Sequence, residues 1–166
     1  MRSTAVGVRC TDGVIVGVEK LLSAKMLVEG TGRRVVAIDE HIGAATSGLQ
    51  PDARQLVNRA RDESRAYRTQ FGEQIPPHTL ADRMGGFTHV TTLYGSVRPF
   101  GASILLAGLD AETKAPELYC VEPSGLSLRY FGAAIGKGAR AAKTEIEKHK
   151  LFDMPVAEVL GRVAKM

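Results

Sequence analysis

The sequence predicts an α+β fold, a four-layer α/β/β/α sandwich in which two antiparallel sheets lie face to face between two pairs of helices. The predicted elements come in the order strands, two helices, strands, two helices, and the strands come in hairpins. Strands that alternated singly with helices would instead favour a doubly wound parallel sheet. Residues 42–71 combine a strand that is apolar on both faces with a corner and a long amphipathic helix, so we expect this strand to be covered twice. The length of 166 residues, without a recognisable linker or repeat, favours one domain, 1–166.

The first half of the chain predicts two strand pairs. Asp12 and Gly13 separate two β-rich runs, and glycine accepts the positive φ that a tight hairpin turn needs. The strands are predicted at 4–9, 14–19, 35–39 and 42–47. After the last of these strands comes a sharp corner formed by Gly48, Leu49, Gln50 and Pro51.

Two helices are predicted next, at about 51–71 and at about 77–94. The apolar stripe of the first comprises Ala53, Leu56, Val57, Ala60, Ser64, Tyr67 and Phe71. The corresponding face of the second comprises Leu80, Met84, Phe87, Thr91 and Tyr94. Gly85 and Gly86 lie in the middle of the second helix, where each costs about 1 kcal/mol relative to alanine. Close approach of another backbone is the usual compensation, so we expect the two helices to pack against each other.

The second half predicts three strands, at 102–109, 118–122 and 126–131, and then helices at about 139–150 and from Pro155 onward. The intervening segment 132–138 superficially resembles a phosphate-binding loop. That loop has four residues between its first glycine and the Gly-Lys pair, and a hydroxyl residue after the lysine. Here three residues intervene and Gly138 follows Lys137. We therefore interpret the segment as a glycine turn that leads into a helix, with Lys137 in solvent.

The charge pattern gives only a weak signal for nucleic-acid binding. The formal net charge of +4 is mildly basic. Four arginines fall on one face of the first helix: Arg54, Arg61, Arg65 and Arg68. A basic stripe can bind phosphates, but the same helix carries Asp52, Asp62 and Glu63. A solvated or subunit-contacting face is the favoured interpretation, and no nucleic-acid partner is expected.

The remaining composition favours a globular chain without cofactor or metal. Cys10 and Cys120 lie far apart without a CxxC pattern and are expected to be small core residues in a reducing compartment. The four histidines show no ligand spacing, so no structural metal is expected. No run approaches the roughly 18 apolar residues of a membrane span, and the first residues lack the layout of a secretory signal. No membrane association is expected.

Five short motifs carry a resemblance to a known family. They are STAVGVR at 3–9, DGV at 12–14, SGL with DAR at 47–54, RPFG at 98–101 and AIGKG at 134–138. In order and spacing they resemble the proteasome α subunits, over essentially the whole chain, and TEIEK at 144–148 resembles one eukaryotic type among them. The resemblance implies the amino-terminal nucleophile hydrolase fold and a place in the seven-membered α ring that stacks on the catalytic β ring of the 20S core particle. It also implies α and β subunits as partners, a role in ubiquitin-dependent protein degradation, and a location in cytoplasm and nucleus.

The resemblance also places four residues at the positions of a catalytic site. Ser3 falls on the nucleophile of active β subunits, Glu19 on the acidic partner, Arg34 on the lysine and Lys137 on a glycine-flanked serine. The mechanism uses the free α-amine of the nucleophile as the base, but Ser3 follows Met1 and Arg2, so its nitrogen is an amide. An arginine, unlike a lysine, stays charged at every working pH and cannot share protons with the nucleophile. These departures predict a non-catalytic subunit.

The resemblance implies that Arg34 corresponds to a basic residue in the pocket between neighbouring α subunits, where the carboxyl-terminal tails of activator complexes dock. A guanidinium can hold a terminal carboxylate with two parallel hydrogen bonds. Gly48 and Leu49 would form the wall beside it. The alternative interpretation is that Arg34 is a surface charge and Gly48-Leu49 only the entry to the helix.

Two features depart from the family pattern. Family members begin with a gating segment that precedes the first strand, and they continue beyond position 166 with further strands and a helix. The chain is therefore expected to be truncated at both ends. Two further hypotheses remain open: an amino-terminal serine hydrolase that uses Ser3 after loss of Met1 and Arg2, and a basic nucleic-acid binder.

Overall fold

Two antiparallel sheets form the centre of the computed structural model, which describes residues 3–20, 24–28 and 30–165. The strands are β1 (Ala5–Arg9), β2 (Val14–Val18), β3 (Val35–Ala37), β4 (Ile42–Gly48), β5 (Ala102–Leu109), β6 (Pro116–Val121), β7 (Ser127–Arg129) and β8 (Gly132–Ile135). The helices are α1 (Gln50–Phe71), α2 (Pro77–Val90), α3 (Ala139–His149) and α4 (Val156–Val163), with a 3-10 helix at Leu151–Asp153. No helix of the described residues is long and apolar enough to cross a membrane.

The sheets differ in width. The smaller sheet has the order β2-β1-β8 and the larger has the order β3-β4-β5-β6-β7, and every neighbouring pair in both is antiparallel. The two predicted hairpins, β1-β2 and β3-β4, are confirmed by their registers, in which Gly7 lies opposite Val16 and Val36 opposite Ala44. No parallel pair occurs among the described strands, as the hairpin pattern predicts.

Three apolar cores separate the four layers. The core between the two sheets comprises Ala5, Ala45, Leu105, Ala107, Leu118, Cys120, Ala133 and Ile135. The core between the larger sheet and the first helix pair includes Leu56, Leu80, Met84, Ile104 and Leu106. The core between the smaller sheet and the second helix pair includes Val8, Ala134, Ala142, Ile146 and Val159. The predicted sandwich of two antiparallel sheets between helix pairs is confirmed, and both cysteines are buried and free, as predicted.

The predicted apolar stripe of helix α1 is buried except in the last turn. The stripe is buried from Ala53 to Ser64, whereas Phe71 is 51% exposed. The last turn therefore runs past the sheet, and the Phe71 ring contacts Tyr67 at 4.5 Å between centroids.

The helix α2 is shorter than predicted. It ends at Val90, and Tyr94 is exposed, because the described chain leaves the sheet at that point. The predicted packing of α1 against α2 is confirmed, with Arg83 paired to Glu63 across the two helices at 3.1 Å, but the backbone that Gly85 meets is not that of α1. An added Cβ at Gly85 would lie 2.8 Å from the carbonyl oxygen of Gly125, in the turn between β6 and β7.

The interpretation of residues 132–138 as a glycine turn is wrong in its first half. Residues Gly132–Ile135 form β8, which pairs with β1 from Val8↔Gly132 to Ala5↔Ile135. The strand has only small side chains until its last residue, so it lacks the alternating pattern that marks a strand in a sequence. The remaining residues, including Lys137, connect β8 to α3.

Candidate functional site

A recess opens where the start of β1 and the end of β2 meet the corner before α1. It has a volume of about 860 Å³ and is lined in part by Ser3, Glu19, Arg34 and Leu49. The antiparallel pairing of β1 with β2 explains why Ser3 and Glu19 lie close together. Ala5 lies opposite Val18, which brings Ser3 beside the residues that follow β2. The amide of Glu19 donates to the carbonyl oxygen of Thr4 at 2.9 Å, which extends this pairing by one step.

Ser3 is held by its backbone rather than by its hydroxyl. The residue is 3% exposed, and its carbonyl oxygen accepts a hydrogen bond from Ser47 Oγ at the end of β4. Its own Oγ is buried and has no hydrogen-bond partner within the described ranges. No described side chain is thus in position to take a proton from this hydroxyl.

Arg34 is fixed against β4 at the floor of the recess. Its Nη1 donates to the carbonyl oxygen of Gly48 at 3.1 Å, and its own carbonyl oxygen accepts from the amide of Thr46 at 2.9 Å. Gly48 has φ of 117°, a conformation that glycine tolerates and that turns the chain sharply into α1. Leu49 follows at 53% exposure and lines the recess.

Lys137 lies outside this group. Its side chain is exposed and does not line either recess described here. The neighbouring Gly138 amide donates to Thr4 Oγ1 at 3.0 Å, so the backbone of this segment reaches the start of β1 although the lysine does not. The structure therefore brings Ser3, Glu19 and Arg34 together and leaves Lys137 in solvent.

Several basic and polar residues line the recess without having been predicted there. Lys20, Arg33, Gln50 and Arg54 all contribute to its wall. A smaller recess of about 370 Å³ adjoins it and is lined by Arg33, Arg34, Arg54 and Arg61 among others. The sequence signal for Arg54 and Arg61 was the arginine stripe of α1. These two arginines line the recesses, whereas Arg65 pairs with Asp62 at 3.6 Å and Arg68 pairs with Asp39 at 2.9 Å.

A buried carboxylate fixes the corner that forms the wall of the recess. Asp52, in the first turn of α1, is 7% exposed and accepts hydrogen bonds from Arg98 Nη1 and Nη2 at 2.6 and 2.8 Å. The Arg98 guanidinium lowers the pKa of Asp52 to about 2, assisted by a hydrogen bond from the Gly101 amide. The DAR and RPFG motifs thus meet in space, and their contact holds the start of α1.

One group of side chains has metal-ligating atoms close together. Ligand atoms of His78, Asp110 and Glu117 lie within 4.8 Å of one another. Glu117 is ion-paired with Arg129 at 3.1 Å, and the Asp110 carboxylate accepts the Thr113 amide of its own turn at 2.8 Å. Both carboxylates therefore have partners that the fold itself explains, and the arginine beside Glu117 opposes a cation.

Comparison with known proteins relates this arrangement to one family. The sequence matches the proteasome subunit family over residues 1–166. It is 50% identical over 163 residues to a protein of Spinacia oleracea named proteasome subunit alpha type-3, with 98% of this chain and 65% of that protein aligned. It is 52% identical to the alpha type-3 protein of Acanthamoeba castellanii, over 98% of this chain and 64% of that protein.

A more distant relative is a probable proteasome subunit alpha type-7 of Saccharomyces cerevisiae, 41% identical over 99% of this chain and 57% of that protein. The chain thus spans slightly less than two thirds of the length of the relatives that it matches. Several relatives carry the alpha type-3 name, and alpha type-3, the seventh eukaryotic α subunit, is the type that the TEIEK run at 144–148 resembles. The chain belongs to the proteasome subunit family.

Proposed function

We propose that the chain acts as a non-catalytic, structural α-type subunit of the 20S core particle, on the amino-terminal nucleophile hydrolase fold. In this role it contributes to the seven-membered outer ring that supports the proteolytic β ring in ubiquitin-dependent protein degradation. Its partners would be neighbouring α subunits and β subunits, in cytoplasm and nucleus. The family match and the names of the relatives support this proposal.

The observation that carries the non-catalytic role is the environment of Ser3. Its hydroxyl is buried without a hydrogen-bond partner among the described residues, and its nitrogen is an amide because Met1 and Arg2 precede it. The guanidinium of Arg34 donates to the Gly48 carbonyl oxygen, and Lys137 points into solvent. Nucleophilic attack by a hydroxyl needs an adjacent base, and no base among the described residues hydrogen-bonds to this one.

Co-purification of the tagged chain, followed by mass spectrometry of its partner chains, tests the structural role. We expect other proteasome α and β subunits in the complex. Recovery of the chain without any proteasome subunit, from cells in which the 20S particle is abundant, would contradict the proposal.

The alternative is an amino-terminal serine hydrolase that uses Ser3, which lies in the same recess as Glu19. This alternative requires removal of Met1 and Arg2, and intact-mass analysis distinguishes it. We expect a chain that retains Arg2 and forms no adduct with an electrophilic peptide probe. A chain that begins at Ser3 and forms an adduct lost in Ser3→Ala would support the hydrolase instead.

The recess itself is proposed to dock the carboxyl-terminal tail of an activator, with the terminal carboxylate at Arg34 and the wall formed by Gly48 and Leu49. The hydrogen bond from Arg34 to Gly48 supports this role because it holds the guanidinium at the recess floor. The exposed Leu49 side chain offers an apolar surface beside it.

Peptide binding to the immobilised chain tests the docking role. A tail peptide with a free carboxylate is expected to bind at least about tenfold tighter than its amide, a difference that one charge-assisted pair can supply. Arg34→Ala should abolish the difference, Arg34→Lys should keep part of it, and Arg65→Gln on the exposed face of α1 should not change it. Equal binding of acid and amide would contradict a carboxylate site.

A further inference from the structure

The two recesses form one continuous depression with two chemically different parts. Arg33, Arg34, Gln50 and Arg54 line both of them. The larger recess has an apolar lobe, which comprises Leu27, Val35 and Leu49. The smaller recess has a basic lobe, which comprises Arg33, Arg54 and Arg61. A ligand that enters the depression therefore contacts both apolar surface and several guanidinium groups, of which Arg33 and Arg54 also line the larger recess.

The basic lobe is rich in arginine, and Glu19 is a carboxylate that lines the larger recess beside it. Among the described residues that line the smaller recess there is no aspartate or glutamate, and Arg33, Arg54 and Arg61 form no ion pair with a described residue. The other arginines of α1 behave differently. Each of them pairs with a carboxylate: Arg59 with Glu63, Arg65 with Asp62 and Arg68 with Asp39.

Arg61 is held in place by a group that does not neutralise it. Its Nε and Nη2 donate to the Ala37 carbonyl oxygen at 3.0 and 2.8 Å. A carbonyl satisfies the geometry of the guanidinium but carries no net charge, so the positive charge remains. Asn58, Thr46 and Gln50 add neutral hydrogen-bonding groups to the lining. A concave surface with several guanidinium groups, one of them ordered by the Ala37 carbonyl oxygen, is suited to binding an anion.

We infer that the basic lobe binds a second negative group of a docked tail, the side chain of an Asp or Glu that shortly precedes its carboxyl terminus. The inference rests on the proposed docking of the terminal carboxylate at Arg34. An apolar side chain of the same tail lies in the apolar lobe. Two anionic contacts at separate points set the direction and register of the tail, so the depression selects acidic tails over neutral ones.

The test compares matched peptides on the immobilised full chain. A short acetylated peptide with a free terminal carboxylate carries one Glu, which is moved back from the end one position at a time, and each peptide has a Gln analogue. At its best position the Glu peptide is expected to bind about tenfold tighter than the Gln analogue. This ratio should fall as salt concentration rises, because the lobe is partly exposed.

Arg54→Gln is the informative variant and Arg65→Gln its control, since both change one arginine of α1 and only Arg54 lines the depression. Arg54→Gln should bring the Glu-to-Gln ratio close to one. Arg65→Gln should leave the ratio at its wild-type value. Arg54→Lys should give an intermediate ratio, because an ammonium keeps the charge but not the planar fork.

The outcomes separate this inference from the docking role. Equal binding of Glu and Gln peptides at every position overturns the second anion contact and leaves the docking of the terminal carboxylate intact. Failure of every free-carboxylate peptide to bind overturns the docking role and this inference with it. Tighter binding of a single-stranded oligonucleotide than of the best peptide, with the same dependence on Arg54, would identify a nucleic-acid site instead.

Discussion

Arg98 binds both carboxylate oxygens of Asp52, and the Gly101 amide donates to the same group at 2.7 Å. This contact joins the first turn of α1 to the segment that leads into β5, two parts of the chain that are 46 residues apart. Because Leu49 also donates its amide to the Gly101 carbonyl oxygen at 2.8 Å, the corner that forms the recess wall is fixed from two sides. The first prediction concerns this contact.

Asp52→Asn should lower the free energy of unfolding by roughly 1 kcal/mol. This value is reduced for solvent screening, because the Arg98 side chain is largely exposed. The substitution removes the charge but keeps the shape. Urea unfolding at neutral pH measures the loss, and Asp62→Asn, an exposed carboxylate of the same helix, should change the unfolding free energy by much less. Equal effects of the two substitutions would show that the buried contact contributes nothing.

The same contact predicts a pH dependence with a definite sign. The folded-state pKa of Asp52 is about 2, below the ordinary value of 3.8, so the folded state binds the proton less tightly than the unfolded state. The stabilisation is therefore complete above the ordinary pKa and is lost as the pH falls through about 2. The difference in unfolding free energy between wild type and Asp52→Asn should be full at about pH 5 and disappear towards pH 2. A difference that grew on acidification would contradict it.

Gly85 and Gly86 provide a matched pair for the packing of α2. A Cβ at Gly85 would lie 2.8 Å from the Gly125 carbonyl oxygen and 3.2 Å from Ser127 Cβ, whereas a Cβ at Gly86 would meet nothing within 4 Å. Gly85→Ala should lower the unfolding free energy by about 1–3 kcal/mol through overpacking. Gly86→Ala should raise it by up to about 1 kcal/mol through helix propensity. Thermal unfolding followed by circular dichroism measures both, and a stabilising Gly85→Ala would refute the close approach.

The two cysteines should be unreactive in the folded protein. Burial raises the pKa of Cys120 to about 11 and also raises that of Cys10, where Asp12 adds to the effect. The thiolate is the reactive form, and both side chains are buried. At about pH 8 an aromatic disulfide reagent should label neither thiol in buffer and both in guanidinium chloride. Rapid labelling of either cysteine in the native protein would contradict the burial.

The isolated chain should self-associate through an exposed strand. The strand β7 is at the edge of the larger sheet and carries Leu128 at 45% exposure. Unpaired edges with apolar side chains add further strands, and a lysine at the edge prevents this. Sedimentation velocity should show species larger than the monomer that increase with concentration and are reduced in Leu128→Lys. A monodisperse wild-type monomer that melts cooperatively would contradict the prediction.

The hairpin pairing of strands followed from the sequence where local patterns were strong. Asp12-Gly13 between two β-rich runs predicted the β1-β2 hairpin, which is present, although Gly13 lacks the positive φ on which the prediction rested. The strand β8 was missed because its small residues carry no period, and only its pairing with β1 makes it a strand. The end of α2 was misplaced for a related reason, since helical spacing continues after Val90 although the sheet no longer covers it.

The candidate site was likewise predictable from the sequence only in part. The sequence and its resemblance to the family were sufficient to single out Ser3, Glu19, Arg34 and Leu49, and the structure brings them to one recess. The grouping of Arg54 and Arg61 apart from Arg65 and Arg68 was not predictable, because a helix stripe shows which residues share a face but not which groups lie opposite them.

The sequence by itself determined the layer order, the hairpins, the amphipathic stripe of α1 and the amide character of the Ser3 nitrogen, because each depends on neighbouring residues or on covalent connectivity. Only the tertiary structure decided which residues distant in the chain lie next to one another. Gly85 packs against the Gly125 turn rather than against α1, Lys137 lies in solvent, and Arg33, Arg54 and Arg61 share one lobe. Contacts between residues that are distant in the chain depend on how the sheets and helices pack against one another, and local sequence patterns do not determine that packing.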